Sequence, residues 1–176
     1  MIGNVRQAVG VSVFFLLLLG LLYPLAETGI GQALFSHQAN GSLSANGSEL
    51  IGQQWKGPQW FQGRPDSDDP MATGGSNLGP RSKELVTTVK AQLAQLNKEG
   101  ITPTQDLVTT SGSGVDPDIS PADAYAQVNA VAKANALSVT TVHNLVASHI
   151  AQPQLGFLGS SYVNVLDLNE GLANLR

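Results

Sequence analysis

The hydrophobic positions of this 176-residue chain fall into one unbroken block and several periodic stretches. The block is Val9 to Ala26, VGVSVFFLLLLGLLYPLA, which contains no charged side chain. About 18 such residues are near the minimum that crosses a hydrocarbon core of roughly 30 Å as a helix. Backbone groups in lipid must be satisfied within the segment, so a single run of this kind crosses as a helix. Tyr23 stands near its outer end, where amphipathic rings favour the headgroup region, and Pro24 falls in the last turn. Beyond the block, Leu85, Val86, Val89, Leu93 and Leu96 recur at helical spacing, which predicts a helix from an N-cap at Ser82 to about Lys98, stopped by Gly100. Ile101 to Thr110 predicts extended chain, since Leu107-Val108-Thr109-Thr110 is rich in strand formers. Ser120 as N-cap, Pro121 at N1 and Asp123 at N3 start a second helix running to about Leu137. Ser138 caps a third, Val139 to about Ile150, ended by Pro153. Ser161 to Leu168 alternates and predicts a strand, followed by a short helix over Asn169 to Arg176.

These elements predict an α+β protein: a single N-terminal transmembrane helix, then one compact mixed α/β domain. The boundaries read as a tail over 1–8, the span over 9–26, a connector over 27–50 and the domain over 51–176. Arg6 is the single basic residue ahead of Glu27. Positive charge stays on the cytoplasmic side, so the N-terminus is expected inside and about 150 residues outside. The rival reading of the block is a cleaved signal peptide. Cleavage needs small residues one and three before the cut. Pro24-Leu25-Ala26 has proline at one of these positions, and Gly31-Gln32-Ala33 lies well past the apolar run. A retained anchor is favoured.

Composition narrows the chemistry. Only 12% of the chain is charged, against about 25% in an average soluble domain. Eight of nine basic residues and all 13 acidic ones lie at or beyond Glu27, a net charge of −5. That balance argues against nucleic acid, which needs a basic footprint. There is no cysteine, which removes thiol catalysis and zinc–thiolate sites and leaves stability to the core.

The connector repeats itself as Ala39-Asn40-Gly41-Ser42 and Ala45-Asn46-Gly47-Ser48. Asn-Gly favours turns, and a paired turn explains the repeat without invoking its match to the N-glycosylation pattern. Trp55 and Trp60 read as core. Asp66, Asp68 and Asp69 form an acidic loop, but Pro70 interrupts the frame of a calcium-binding loop. His143 and His149 are six apart, on different helix faces, and do not form a metal pair. Gly74-Gly75-Ser76-Asn77-Leu78 starts like a nucleophile elbow but lacks its last glycine. A membrane-anchored extracytoplasmic serine hydrolase using Ser76 or Ser113 with His143 or His149 is the alternative function. No Walker-type phosphate loop occurs. Ser111, Gly112, Ser113 and Gly114, just ahead of a helix start, are the candidate anion-binding residues, although Asp116 and Asp118 oppose negative charge there and the residues themselves do not support a nucleotide site.

Several segments occur in a telling order: Tyr23-Pro24, Gln38-Ala39-Asn40-Gly41-Ser42, Ile51-Gly52-Gln53, Phe61-Gln62-Gly63-Arg64-Pro65, Ser76-Asn77-Leu78-Gly79-Pro80, Ser111-Gly112-Ser113-Gly114-Val115-Asp116-Pro117-Asp118-Ile119-Ser120-Pro121 and Val163-Asn164-Val165-Leu166-Asp167-Leu168-Asn169. Together they resemble the C subunit of the Kdp potassium-transporting P-type ATPase over nearly the whole chain. Gln62 and Asp118 stand where that family commonly has histidine. The resemblance implies a bacterial inner-membrane complex with a potassium-selective channel-like subunit, a P-type pump subunit and a further small single-span subunit. It implies a non-catalytic role in assembly and in raising the pump's ATP affinity; the complex uses ATP, magnesium and potassium, and no cofactor is assigned to this chain. The phosphorylated Asp-Lys-Thr-Gly motif of P-type pumps is absent here. Gly10, Ser12 and Gly20, small residues that let helix backbones approach in the anchor, and Gly63, Arg64, Asp116 and Asp118 in the domain are the candidate subunit-interaction residues. With the domain outside and ATP in the cytoplasm, an indirect effect on ATP affinity is favoured over direct contact.

Overall fold

The computed structural model describes residues 2–66, 69, 71 and 73–176. Asp68 and Pro70 of the acidic loop lie outside the described residues. The chain divides into two compact units, Met1–Leu43 and Ser44–Arg176.

The first unit is dominated by a helical run in three parts: α1 (Ile2–Leu17), a π-helical turn (Leu18–Leu22) and α2 (Tyr23–Leu34), followed by the short α3 (Ser36–Ala39). Gly3–Leu34, 32 residues, is long and apolar enough to cross a membrane. At about 1.5 Å per residue it rises about 48 Å, well beyond a bilayer core of roughly 30 Å. The helix therefore continues past Ala26, and Pro24 lies inside it rather than in its last turn. The π turn explains how. Tyr23 N–H bonds to Leu18 O, five residues back. The widened turn relieves the clash a proline ring otherwise makes with the carbonyl four residues before it.

The second unit has the mixed architecture expected. Its elements are α4 (Lys83–Lys98), β1 (Asp118–Ile119), α5 (Pro121–Ala134), α6 (Val139–Ser148), β2 (Ile150–Ala151), β3 (Tyr162–Asn164) and α7 (Val165–Ala173). All four helices start on a side-chain cap: Ser82, Ser120, Ser138 and Asn164 accept from Leu85, Asp123, Thr141 and Leu166 N–H groups. Gly100 follows α4 at φ +76°, a left-handed turn open to glycine. The sheet is antiparallel, in the order β1-β3-β2, with Asp118 opposite Asn164, Ile119 opposite Val163 and Ala151 opposite Tyr162. Helices α5, α6 and α7 pack together over a core that includes Phe61, Ile119, Val131, Val146, Val163, Leu168 and Leu172. Each fully buried side chain of this size contributes roughly 1.5–3 kcal/mol.

Three expectations are corrected, and one is refined. Ile101 to Thr110 forms no strand: Asp123, fully buried, takes the N–H groups of Thr104 and Asp106, so a sheet partner cannot have them. Val108 and Thr109 N–H instead turn back to Gln105 O. Ser161 to Leu168 is strand only as far as Asn164. There the Asn164 side-chain oxygen Oδ1 accepts from Leu166 N and Asp167 N and opens α7, so the last helix begins at Val165 rather than Asn169. The apolar stripe of α4 is present as predicted: Leu96 is buried and Leu85 and Val89 are half-buried, while Val86 and Leu93 are 44% and 41% exposed. Trp55 and Trp60 are half-buried, stacked on each other at 4.9 Å against the rim of the core rather than inside it. Arg176 covers the outer face of Trp60 at 4.1 Å.

Buried amides replace secondary structure where the chain is irregular. Asn169 both accepts from Phe61 N and donates to Phe61 O, at 2.9 Å each. Gln127 does the same for Gln62, at 2.7 and 3.0 Å. Two helix side chains thus pair with consecutive residues of a coil as a neighbouring strand does.

Candidate functional site

The loop from Ser111 to Ser120 combines the densest run of special residues with the start of α5. Its organising group is Asp66, which comes from the acidic loop rather than from the motif. Asp66 Oδ1 accepts from Ser111 N at 2.7 Å, and Oδ2 from Ser111 Oγ at 2.6 Å and Asp116 N at 3.0 Å. Ser111 Oγ in turn accepts from Gly114 N at 2.8 Å. Ser113 Oγ lies 3.2 Å from Ser111 Oγ and accepts from Val115 N.

Two glycines are explained by close backbone approach. Gly114 has φ +73°, and a Cβ there would lie 2.5 Å from Gly74 O. A Cβ on Gly52 would meet Asp116 O at the same distance. Gly74 N donates to Ser113 O, and Gly52 N to Val115 O. The glycine-rich stretches thus lie backbone to backbone around the loop.

Arg64 braces the same loop. Its side chain is 17% exposed and forms a 3.0 Å ion pair with Asp106, with Asp116 at 3.9 Å. Nη2 donates to Thr110 O, and the buried Nε has no hydrogen-bond partner among the described residues. Asp106 Oδ2 accepts from Ser120 N, which ties Arg64 to the cap of α5. Gly63 stands against the Val165 side chain, where a Cβ would be 3.8 Å away.

Asp116 and Asp118 diverge. Asp116 Oδ1 accepts from Asp118 N in a local turn. Asp118 reaches across the sheet to accept from Asn164 Nδ2 at 3.1 Å. It lines an open cavity of about 490 Å³ with Glu49, Asp167, His149 and Tyr162. Burial, then the charge of Asp116, pushes the Asp118 carboxyl up to about 6. Asp167 is also raised, by burial and then by Glu49 and Glu170. Glu170 moves the other way because Ser44 and Asn46, the latter in the second copy of the Asn-Gly-Ser repeat, donate to it.

Within the Ser111–Gly114 loop, Ser111 N and Oγ already donate to Asp66 and Gly114 N to Ser111 Oγ, and Asp116 places a further carboxylate beside them, which opposes an anion there. Nor does the structure join the serines to the histidines. Ser76 Oγ accepts from Leu78 N, and Ser113 has the partners given above. His143 stacks on Tyr125 at 4.6 Å, and His149 Nδ1 lies 2.8 Å from Leu145 O. Gly10, Ser12 and Gly20 lie on the exposed surface of the long helix, with open space where a Cβ on Gly10 would stand. Reasoning from sequence passed over Gln127 and the buried bracing roles of Asp123 and Asn169; a polar residue on an otherwise apolar helix face is the one signal each offers.

A profile described as "KdpC: K+-transporting ATPase, c chain" matches residues 5–174. Curated relatives are similar over almost their full lengths. A "Potassium-transporting ATPase KdpC subunit" of Caulobacter vibrioides is 45% identical over 184 aligned residues, covering 98% of this chain and 93% of the relative. Proteins of the same description from Sorangium cellulosum and Burkholderia ambifaria are 44% and 46% identical, the former covering both chains completely and the latter 96% of this chain and 94% of the relative. With the family profile spanning nearly every residue of both units, the chain belongs to the KdpC family of K+-transporting ATPase c chains.

Proposed function

We propose that this chain is the membrane-anchored, non-catalytic subunit of an ATP-driven potassium-uptake complex. In this reading it stabilises the assembly of a channel-like subunit, a P-type pump subunit and a further small single-span subunit. ATP, magnesium and potassium are handled by those partners. The observation that carries the reading is the family match over residues 5–174, on a chain whose first unit is built around a helix able to span a bilayer. The N-terminus is cytoplasmic and the α+β unit extracytoplasmic, following the placement of Arg6 before the apolar run. Any effect on ATP affinity is indirect, through contacts with partner subunits. The internal engagement of the Ser111–Gly114 donors supports that choice over direct nucleotide contact.

The test is reconstitution with and without the chain. The full-length protein should co-purify with the larger subunits in mild detergent, and deletion of residues 1–26 should abolish potassium-dependent ATPase activity. Full activity in a complex lacking this chain would sink the proposal. Protease digestion of oriented vesicles checks the topology: residues 27–176 should be cleaved only from the outer side.

A further inference from the structure

The β2–β3 hairpin carries apolar surface that the fold does not use. Its ten-residue connection, 152–161, contains no charged residue. Leu155, Phe157 and Leu158 are 82%, 74% and 50% exposed. The connection is nevertheless firmly built. Gln154 N donates to Leu158 O at 3.0 Å and Leu158 N to Gln154 O at 2.9 Å, which closes a small loop at the tip. Gly156 N bonds to Pro153 O, and Ser161 Oγ to Gln152 Oε1. Within that closed loop Leu155 sits at φ +53°, a region that side-chain-bearing residues rarely adopt. A leucine held in a strained conformation and left in water is unfavourable twice over, and neither term is recovered within the chain.

The arms of the same hairpin decide what covers it. Ala151 and Tyr162 line the open cavity that also holds Glu49, Asp118 and Asp167, with His149 the one basic residue lining it. Peripheral loops that dip into bilayers draw on basic residues to engage anionic headgroups. This hairpin offers the opposite charge. A preformed, hydrogen-bonded apolar tip beside an acidic hollow suits a protein surface that has an apolar pocket with basic side chains at its edge.

We infer that the β2–β3 hairpin is a docking element for another subunit of the transport complex, with Leu155 and Phe157 filling an apolar pocket and the acidic hollow facing a basic side chain. This rests on the subunit role proposed above and locates it on one face of the domain. The pre-organised tip loses little freedom on binding, and its two large side chains carry most of the interaction.

The experiment uses the full chain co-expressed with the larger subunits in native membranes. A photo-reactive phenylalanine analogue at position 157 should crosslink to a larger subunit. The double substitution Leu155→Asp, Phe157→Asp should lower co-purification at least about tenfold, with unfolding of the isolated full-length chain unchanged. Thr87→Asp, on the exposed face of α4, should leave co-purification at the wild-type level. Asp167→Asn should weaken the salt dependence of association. Crosslinks to lipid alone, absence of any crosslink, or undiminished co-purification of the double variant each overturn the inference. Co-purification of the wild-type chain reports separately on the subunit role: if wild type binds and the double variant binds equally, the hairpin assignment fails while the subunit role stands.

Discussion

The loop at Ser111–Ser120 and the hairpin at Ile150–Asn164 are joined edge to edge through Asp118 and Asn164, yet they handle their chemistry in opposite ways. The loop is rich in polar groups, and the structure turns them inward. Asp66 takes up Ser111 and Asp106 pairs with Arg64, whose Nε alone is left unpartnered among the described residues, and the glycines let three backbone segments meet. The hairpin has no charged side chain and turns its largest side chains outward, in a conformation held by backbone hydrogen bonds. The more conspicuous motif is therefore scaffold, and the plainer stretch carries the surface that lacks a partner. A run of special residues marks a demanding conformation first. Whether it also marks a site depends on donors and acceptors left over after folding.

Three substitutions test this contrast, beginning with the largest effect. Asp66→Ala leaves the N–H groups of Ser111 and Asp116 and the Ser111 hydroxyl without their shared acceptor. It should cost about 3 kcal/mol, read from thermal or urea unfolding of the full-length chain in detergent. A loss below about 1 kcal/mol means that the loop is not organised by Asp66.

Asp118→Asn probes the junction between the two regions. The Asp118 carboxyl titrates at about 6 in the folded chain against 3.8 for the ordinary group. Below 3.8 it is protonated whether folded or unfolded and contributes no difference. Between 3.8 and about 6 the folded chain holds the proton more tightly, so this group lowers stability as pH rises, and the full penalty persists above that window. Asparagine removes the penalty and keeps an acceptor for Asn164 Nδ2. Stability at pH 8 should rise by about 1 kcal/mol, discounted because the group is half exposed, and the slope between pH 4 and 6 should flatten. An unchanged slope shows that Asp118 is well solvated.

Leu155→Gly should have the smallest effect, and of opposite sign to a typical loss. Glycine relaxes the left-handed backbone but adds freedom to the unfolded chain, so the net gain is about 0.5 kcal/mol. A loss greater than 1 kcal/mol would show that Leu155 packs within its own domain.

Much of the fold was legible because its signals are local. The caps at Ser82, Ser120 and Ser138 lie where hydroxyl residues precede periodic apolar stretches, and their bonds close within three residues. The reading failed where distant groups competed for the backbone. Leu107-Val108-Thr109 looks like a strand until Asp123, from a helix further along the chain, takes the N–H groups of Thr104 and Asp106. The stripe of α4 has correct helical periodicity, but periodicity alone does not say that Leu85, Val89 and Leu96 are covered while Val86 and Leu93 stay exposed. In the candidate site, the motif's glycines and serines were visible, whereas their occupation by Asp66, 45 residues earlier, was not.

The amino-acid sequence by itself determined the apolar helix, the helix starts, the α+β class and the family, because each rests on composition, short-range hydrogen bonding or residue order. Only the tertiary structure decided which polar groups are already satisfied and which apolar ones remain bare. Those outcomes depend on contacts between residues tens of positions apart. They tie Ser111 to Asp66 and leave Leu155 and Phe157 exposed at a hairpin tip.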